Sequence, residues 1–423
     1  MKELLSHKKI GIWGFGSVGK SILSFLTPFD CQISVLDSRA LDPYETLLLQ
    51  GHDASFVAED FLPQFLEMND FIIPSPGIDI SKLMETELHK KIITELDLFY
   101  AFNTTQTIAI TGSAGKTTTV HLLTHLLNKL GKKACAAGNI GLPMLDTIAD
   151  KNNYDYIVLE LSSFQLEHIK TFRSNYAAFL NIYPNHLDRH ADIAEYLAAK
   201  AKLFAFQNND DWAFIPLEYT DLLWEAVTHQ KIYWIGPDAY HDIIKELSDI
   251  TCSNNLQIIC AIIENLNLPT EKLKKQCSDY ILPPDRIEFL GTHKGISFYN
   301  DSKATIPEST ITAVQKFNKP ILFLGGLSKG VDRIHLLKEI QNNVKEVICF
   351  GVESEELYKK CTSLSIPASK HATLDAAFLH ALECAVSGDV LLLSPAGSSY
   401  DLFKNYHERG NFFKKLVHEF ASK

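Results

Sequence analysis

Short apolar runs alternate with longer segments of helical period along most of the chain, and this pattern predicts the architecture before any motif is considered. In the N-terminal hundred residues, 9–13, 33–36 and 71–73 read as buried parallel strands, with a helix over 18–26 between the first two. A second block has strands at 107–110, 155–159 and 177–182 and an amphipathic helix at 120–130. From about 208 to 279 the pattern weakens into Trp-containing apolar stretches and acidic helices. The two prolines of Ile281-Leu282-Pro283-Pro284-Asp285 end any helix there and mark a linker. Strands return at 296–299, 321–324, 347–350 and 390–393, with a helix from about 307. Such alternation predicts an α/β chain of three domains, each an open, mostly parallel sheet covered by helices.

A length of 423 residues agrees with three domains at roughly 150 residues each. Apolar residues make up 46% and charged residues 22%, which excludes a disordered or collagenous chain. With 40 basic against 51 acidic residues the net charge is −11, so the overall field does not favour nucleic acid or an anionic membrane surface. Phosphate ligands remain compatible, because backbone amides bind them locally. No apolar run approaches the ~18 residues of a membrane span. None of the eight cysteines forms a CxxC pair. A reduced, soluble, cytoplasmic protein is expected.

Gly14-Phe15-Gly16-Ser17-Val18-Gly19 follows a strand and opens a helix, and Asp37 ends the next strand at the distance of a ribose-binding carboxylate. This turn fits a diphosphate, a dinucleotide, or no ligand at all. Thr111-Gly112-Ser113-Ala114-Gly115-Lys116-Thr117-Thr118-Thr119 is more specific. Small residues let the backbone wrap phosphates, Lys116 neutralises them, and the Thr117 hydroxyl suits Mg²⁺. Ile110 stands where the strict pattern wants glycine, so the loop is a shortened one.

Glu160 ends a strand in the same block, a position that faces the ligand crevice of an open sheet. The stretch from Asn181 to His190, NIYPNHLDRH, puts His186, Asp188, Arg189 and His190 on one loop. Two histidines without a softer ligand make a weak zinc site, and Mg²⁺ shared with phosphates fits better. Lys200 lies on the following helix, where a lysine taken alone is a solvated surface residue. In the last block Asp301-Ser302-Lys303, Gly325-Gly326-Leu327-Ser328-Lys329 and Ser394 to Asp401 each follow a strand. Together they build one ligand-binding edge.

In this order the motifs resemble the Mur ligases, the ATP-dependent amide-forming enzymes of peptidoglycan precursor synthesis. GNIGLP, LELSSFQLE, HLDRH, AAK, NDSKAT, GG-x-x-K and LLLSPA-x-SS-x-D-x-F-K resemble the D-glutamate-adding branch. The resemblance implies a Rossmann-like UDP-sugar domain at 1–96, a P-loop-type ATPase domain at 97–282 and a Rossmann-like amino-acid domain at 283–423. It implies that UDP-N-acetylmuramoyl-L-alanine is held by Gly14, Phe15, Gly16, Ser17, Val18, Asp37, Ser38, Arg39, Ser75, Pro76, Gly77, Asn139, Ser162 and Gln165. For ATP it implies Gly112, Ser113, Ala114, Gly115, Lys116, Thr117, Thr118, Asn255, Arg286 and Asp301. D-Glutamate falls to Lys303, Thr305, Lys329, Ser399 and Tyr406, and Mg²⁺ to Thr117, Glu160, His186 and a carbamoylated Lys200. Lys116, His186, Lys200 and Lys303 are the implied catalytic set, acting in a monomer through an acyl phosphate.

Four positions depart from the family pattern. Asn185 replaces an acidic residue before the metal histidine, Asn254 replaces the histidine before Asn255 and Ile258 the second asparagine of the adenine-side pattern, and Asp285 replaces a histidine before Arg286. A sister ligase for another amino acid, a folylpolyglutamate synthase-like enzyme and an inactive nucleotide-binding regulator remain as alternatives. An NAD-dependent oxidoreductase rests on the first glycine turn alone.

Overall fold

In a computed structural model that describes residues 5–150, 152–247 and 250–422, the strands form three sheets. The first contains β1 (Lys9–Trp13), β2 (Gln32–Asp37), β3 (Ala54–Ala58) and β4 (Phe71–Pro74), all parallel in the order β3-β2-β1-β4. Ile10, Ile12, Val35, Leu36 and Ile72 are completely buried, which is why these strands read as unbroken apolar runs.

The second sheet has β5 (Gln106–Thr111), β6 (Ala134–Gly138), β7 (Tyr156–Glu160), β8 (Tyr176–Phe179), β9 (Trp212–Pro216) and β10 (Lys231–Ile235). Its order is β10-β9-β8-β5-β7-β6, again all parallel. β5 lies between β7 and β8, so the turns that follow these three strands leave one edge of the sheet side by side.

The third sheet contains β11 (Glu288–His293), β12 (Ile296–Asn300), β13 (Ile321–Gly325), β14 (Glu346–Phe350), β15 (Ala368–His371) and β16 (Val390–Leu393). Its order is β11-β12-β16-β13-β14-β15, and only β11 runs antiparallel. Lys294 and Gly295 both have positive φ, 52° and 81°, as a two-residue hairpin between β11 and β12 requires. Apolar clusters cover both faces, one around Leu322, Leu324 and Leu336, the other around Phe323, Phe378 and Phe413.

Several elements differ from the sequence reading. β8 ends at Phe179 instead of reaching 182, and the helix expected at 120–130 begins at Lys116 and ends at Lys129. β3, β6, β11 and β15 gave no clear apolar run: ASFVA and ASKH are partly exposed outer strands, and ACAAG carries small side chains. β9 and β10 account for the Trp-containing stretches in the weakly patterned region.

By compactness the chain divides into two units. One holds the residues up to Gly112 with Thr119–Asn181 and Leu197–Ser278, and the other holds Ser113–Thr118, Ile182–Tyr196 and the chain from Asp279 onward. The first unit contains the first two sheets, joined by three kinds of contact. Phe25, Phe29 and Phe102 pack with ring centroids 5.1–5.5 Å apart. Ser21 donates to Asp146 at 2.6 Å. The buried Asp97 carboxylate accepts backbone N–H bonds from Lys170, Thr171 and Phe172 at 2.7–3.0 Å, while Thr94 donates its hydroxyl at 2.7 Å. Hydrogen bonds to a buried charge are the strong ones. Asp97→Ala should therefore lower the stability of this unit by on the order of 3 kcal/mol. Urea unfolding followed by tryptophan fluorescence checks this, and a loss below about 1 kcal/mol would show that the clasp is dispensable.

Candidate active site

At the edge of the first sheet the glycine turn is fixed by backbone crowding. Gly14 has φ 95°, and a Cβ at Gly19 would run into the Gly14 carbonyl oxygen. A side chain at Gly16 would meet nothing within 4 Å, so that position is open. The Asp37 carboxylate accepts from Phe15 N–H at 2.6 Å and Arg39 N–H at 3.0 Å, and Ser75 donates to the Gly14 carbonyl at 3.1 Å. The turns after β1, β2 and β4 thus form one surface, carrying Ser17, Val18, Ser38, Pro76 and Gly77 with them. Arg39 is held by both oxygens of Glu45 at 2.7 Å, and Lys20 reaches the same carboxylate at 2.8 Å. These cations hold the Glu45 carboxyl well below the usual range. Sequence reading missed Glu45, although Asp42-Pro43-Tyr44-Glu45 is a capping box that opens a helix.

Within the same unit Asn139 donates to Glu160 at 2.9 Å, and Glu160 is 1% exposed at the end of β7. Ser162 and Gln165 form a reciprocal cap at the start of the next short helix. Gln165 lines a cleft with Pro74, Ser75, Pro76, Thr94 and Glu95. Glu95 was likewise missed from sequence. Burial, reinforced by Asp146, pushes its carboxyl up to about 8, and its Oε2 has no hydrogen-bond partner among the described residues.

Lys200 is 1% exposed and donates to the Gly112 carbonyl at 2.9 Å. The surface expectation for an isolated helical lysine is wrong here, because the helix packs this face against the start of the phosphate turn. Asn255, also 1% exposed, donates to Thr251 at 3.0 Å and leaves its carbonyl oxygen without a partner among the described residues.

In the second unit, Ser113 donates to the Tyr183 carbonyl at 3.1 Å and accepts from Tyr183 N–H at 2.9 Å. Lys116 folds back onto the Ser113 carbonyl at 3.1 Å, and Thr117 and Thr118 are buried at the start of their helix. Gly115 has φ 82°, which turns successive amides toward one side as an anion nest requires. Ala114 completes the turn. His186 sits in the left-handed region at φ 56°, capped by the Asn185 side chain, which accepts His186 N–H at 3.0 Å. Asn185 thus keeps the acceptor function of the carboxylate it replaces. Burial pushes the Tyr196 hydroxyl up to about 12, against hydrogen bonds from Ser113 and Asn185 that tie the two loops together.

The three polar loops read from the sequence leave β12, β16 and β13, which are adjacent strands of the third sheet. Their backbones are fastened by Leu327 and Ser398, each donating its N–H to the other's carbonyl at 2.9 Å. Arg409, fully buried, donates to Ser302 Oγ at 3.0 Å, to the Ser302 carbonyl at 2.8 Å and to the Gly397 carbonyl at 3.0 Å. Sequence reading missed this residue too, since one arginine on a terminal helix reads as solvated. Lys303 donates to the Tyr406 hydroxyl at 2.6 Å, Ser399 is buried, and Thr305 is half-buried on the same loop as Lys303. Asp285 anchors this edge: it accepts from Asn300 at 2.8 Å, pairs with His407 at 2.6 Å, and packs so close to Gly410 that a Cβ there would strike it.

Charge is concentrated here. Burial, with repulsion from Lys116 and Arg409, pulls the Lys329 amine down to about 8 against the attraction of Asp188. Burial pushes the Asp301 carboxyl up to about 7, although Ser394 donates to it at 2.7 Å and Arg286 attracts it. Arg286 Nε is buried with no hydrogen-bond partner among the described residues.

Comparison with known proteins gives a consistent set of likenesses. Residues 8–94 match the Mur ligase MurD-like N-terminal domain, 110–269 the Mur ligase middle domain, and 285–397 the Mur ligase glutamate ligase domain. The UDP-N-acetylmuramoylalanine--D-glutamate ligase of Thermoanaerobacter sp. (strain X514) is 32% identical over 98% of this chain and 99% of its own length. The enzyme of the same name from Acidobacterium capsulatum is 33% identical, over 98% and 96%. Among solved structures, MurF from Thermotoga maritima in complex with ADP has a TM-score of 0.60 at 15% identity, covering 99% of this chain and 97% of that one. MurF from Acinetobacter baumannii gives 0.60 at 13%, covering 100% and 92%.

The Asp301 environment has a measurable consequence. Its folded value of about 7 lies above the unfolded value of 3.8, so the unfolded chain releases this proton first. The folded state gives up on the order of 4 kcal/mol as the pH rises from about 4 to about 7, and no more above that. Asp301→Asn removes the effect, so its gain in melting temperature over the parent should be larger at pH 8 than at pH 5. An equal gain at both values would mean that the carboxyl is not held protonated.

Proposed function

The chain belongs to the Mur ligase family, and on that premise we propose that it joins D-glutamate to UDP-N-acetylmuramoyl-L-alanine while ATP is split to ADP and phosphate. The observation that carries this reading is the shared field of Lys116, Lys329 and Arg409. A phosphate-loop lysine beside two further cations is only partly balanced by Asp188, and incoming anions meet the rest of the charge. A phosphorylated substrate and an amino-acid dicarboxylate supply them.

The roles follow from chemistry. A carboxylate does not condense with an amine in water, so the L-alanyl carboxylate oxygen first attacks the γ-phosphorus of ATP, giving an acyl phosphate and ADP. The D-glutamate amine then attacks the acyl carbon, and the tetrahedral intermediate expels phosphate while the amine proton leaves to solvent. Lys116 and the amides of the Gly112-to-Thr118 turn neutralise the phosphoryl group in flight, and such electrostatic stabilisation dominates phosphoryl transfer. Lys303, Thr305, Lys329, Ser399 and the backbone at Tyr406 orient the D-glutamate carboxylates, which places the amine for attack. Asn255, Arg286 and Asp301 take the adenosine, with Asp301 on the ribose.

Glu160 and Thr117 offer hard oxygen donors, the kind Mg²⁺ prefers, and His186 adds one nitrogen. A carbamoylated Lys200 would add a carboxylate to that set. When bound, Mg²⁺ supplies positive charge on the phosphate oxygens. The glycine turn at Gly14 and the loops at Asp37, Ser75, Asn139 and Ser162 take the UDP-sugar, with domains at 1–96, 97–282 and 283–423. No helix among the described residues is long and apolar enough to cross a membrane. A single chain acting in the cytoplasm, in peptidoglycan precursor synthesis, fits these substrates.

ADP release measured with UDP-N-acetylmuramoyl-L-alanine tests the reading. Release should depend on D-glutamate and not on L-glutamate, L-alanine or diaminopimelate; dependence on another amino acid would transfer the chain to a sister activity. Lys116→Ala should reduce turnover by roughly a thousandfold or more while UDP-sugar binding stays near the parent value. Lys329→Ala should raise the KM for D-glutamate by about a hundredfold and leave that for the UDP-sugar within a factor of about two. A rise confined to the UDP-sugar would overturn that assignment.

A further inference from the structure

Glu346, His380 and Cys384 form a ligand-grade cluster that none of the ligase chemistry uses. Glu346 opens β14, while His380 and Cys384 stand one turn apart on the helix Leu374–Cys384, which brings both side chains to one face. His380 Nε2 lies 3.1 Å from Glu346 Oε1 and 3.5 Å from Cys384 Sγ, and the three donor atoms all fall within 4.8 Å of one another. In a tetrahedral zinc site with Zn–N about 2.0 Å and Zn–S about 2.3 Å, neighbouring donors stand about 3.3–3.6 Å apart. The cluster already approximates one face of that tetrahedron.

We propose that Glu346, His380 and Cys384 bind a zinc ion on the third sheet, leaving its fourth coordination position open to solvent. All three residues are partly exposed, so an ion has access. A carboxylate, an imidazole and a thiolate are a borderline-soft set that selects Zn²⁺ over Mg²⁺, which separates this site chemically from the phosphate-binding machinery. The adjacent cation, Lys345, is engaged by Asp389 at 2.6 Å and does not occupy the cluster. A second imidazole backs the first: the His371 ring lies 4.9 Å from that of His380, with its own Nε2 3.2 Å from Ser369 Oγ. Binding replaces the thiol proton of Cys384, which passes to solvent, with a Zn–S bond. Glu346 stands at the N-terminal end of β14, whereas the polar loops of the ligand edge leave the C-terminal ends of β12, β13 and β16. The ion therefore clamps helix to strand at the far edge of the sheet.

Titration of metal-free, full-length protein with Zn²⁺ and Co²⁺ tests the proposal. The expected result is one equivalent of micromolar or tighter affinity, with a thiolate-to-cobalt charge-transfer band in the near ultraviolet. Cys384→Ser should abolish that band, and His380→Ala and Glu346→Gln should each weaken Zn²⁺ binding by about tenfold or more. His186→Ala, at a phosphate-side position, should retain the band and the affinity. Matching far-ultraviolet circular dichroism of the metal-free variants and parent keeps loss of fold out of the comparison. A band that survives in Cys384→Ser, or an affinity unchanged in both His380→Ala and Glu346→Gln, would overturn the site.

Discussion

A lysine or arginine removed from water is tolerated only where carbonyl oxygens, carboxylates or an incoming anion meet its charge. The polar loops of the sheet edges are organised around that condition. Arg409 is completely buried, and each of its three guanidinium nitrogens donates to Ser302 or Gly397, so the guanidinium fixes the turns after β12 and β16 in one arrangement. Lys200 meets the Gly112 carbonyl in the same way. Lys329 is only half-buried, and its lowered amine reports both desolvation and a crowd of like charges. A chain with a net charge of −11 thus concentrates positive potential locally, against the sign of its overall field.

Acids show the complementary strain. The Glu95 and Asp301 carboxyls are held in environments that favour their neutral forms, whereas Glu45, clasped by Arg39 and Lys20, is held charged. The ion pairs of Glu45 offset its burial and order the loop after β2. Among the described residues, Ser394 and Arg286 offset the burial of Asp301 only in part, and carboxyls perturbed in this way gather at binding sites.

Most of the framework was legible because buried parallel strands announce themselves as apolar runs and because the polar loops follow them directly. Three polar loops placed on one edge from spacing alone do leave adjacent strands. Residues whose importance depends on what surrounds them were not legible. Lys200 and Arg409 look like ordinary helical cations until packing buries them, and only the resemblance to a family singled out the first. Glu45 and Glu95 look like surface acids. Asp285 and Asn185 appeared as departures from a pattern, yet one carries a buried network and the other caps the His186 turn. Outer strands such as β3 and β15 were missed because half-exposed strands need no apolar run.

The place of β16 in the third sheet bears on how the chain is made. This strand pairs with β12 on one side and β13 on the other, yet it is translated two strands and three helices after β13. Until it emerges, β12 and β13 have no partner between them, and both apolar faces of the sheet lack their middle. The nascent third domain therefore waits on the ribosome as an open edge, the condition in which strands pair wrongly with other chains. Parallel pairing over such sequence separation is also slow to close.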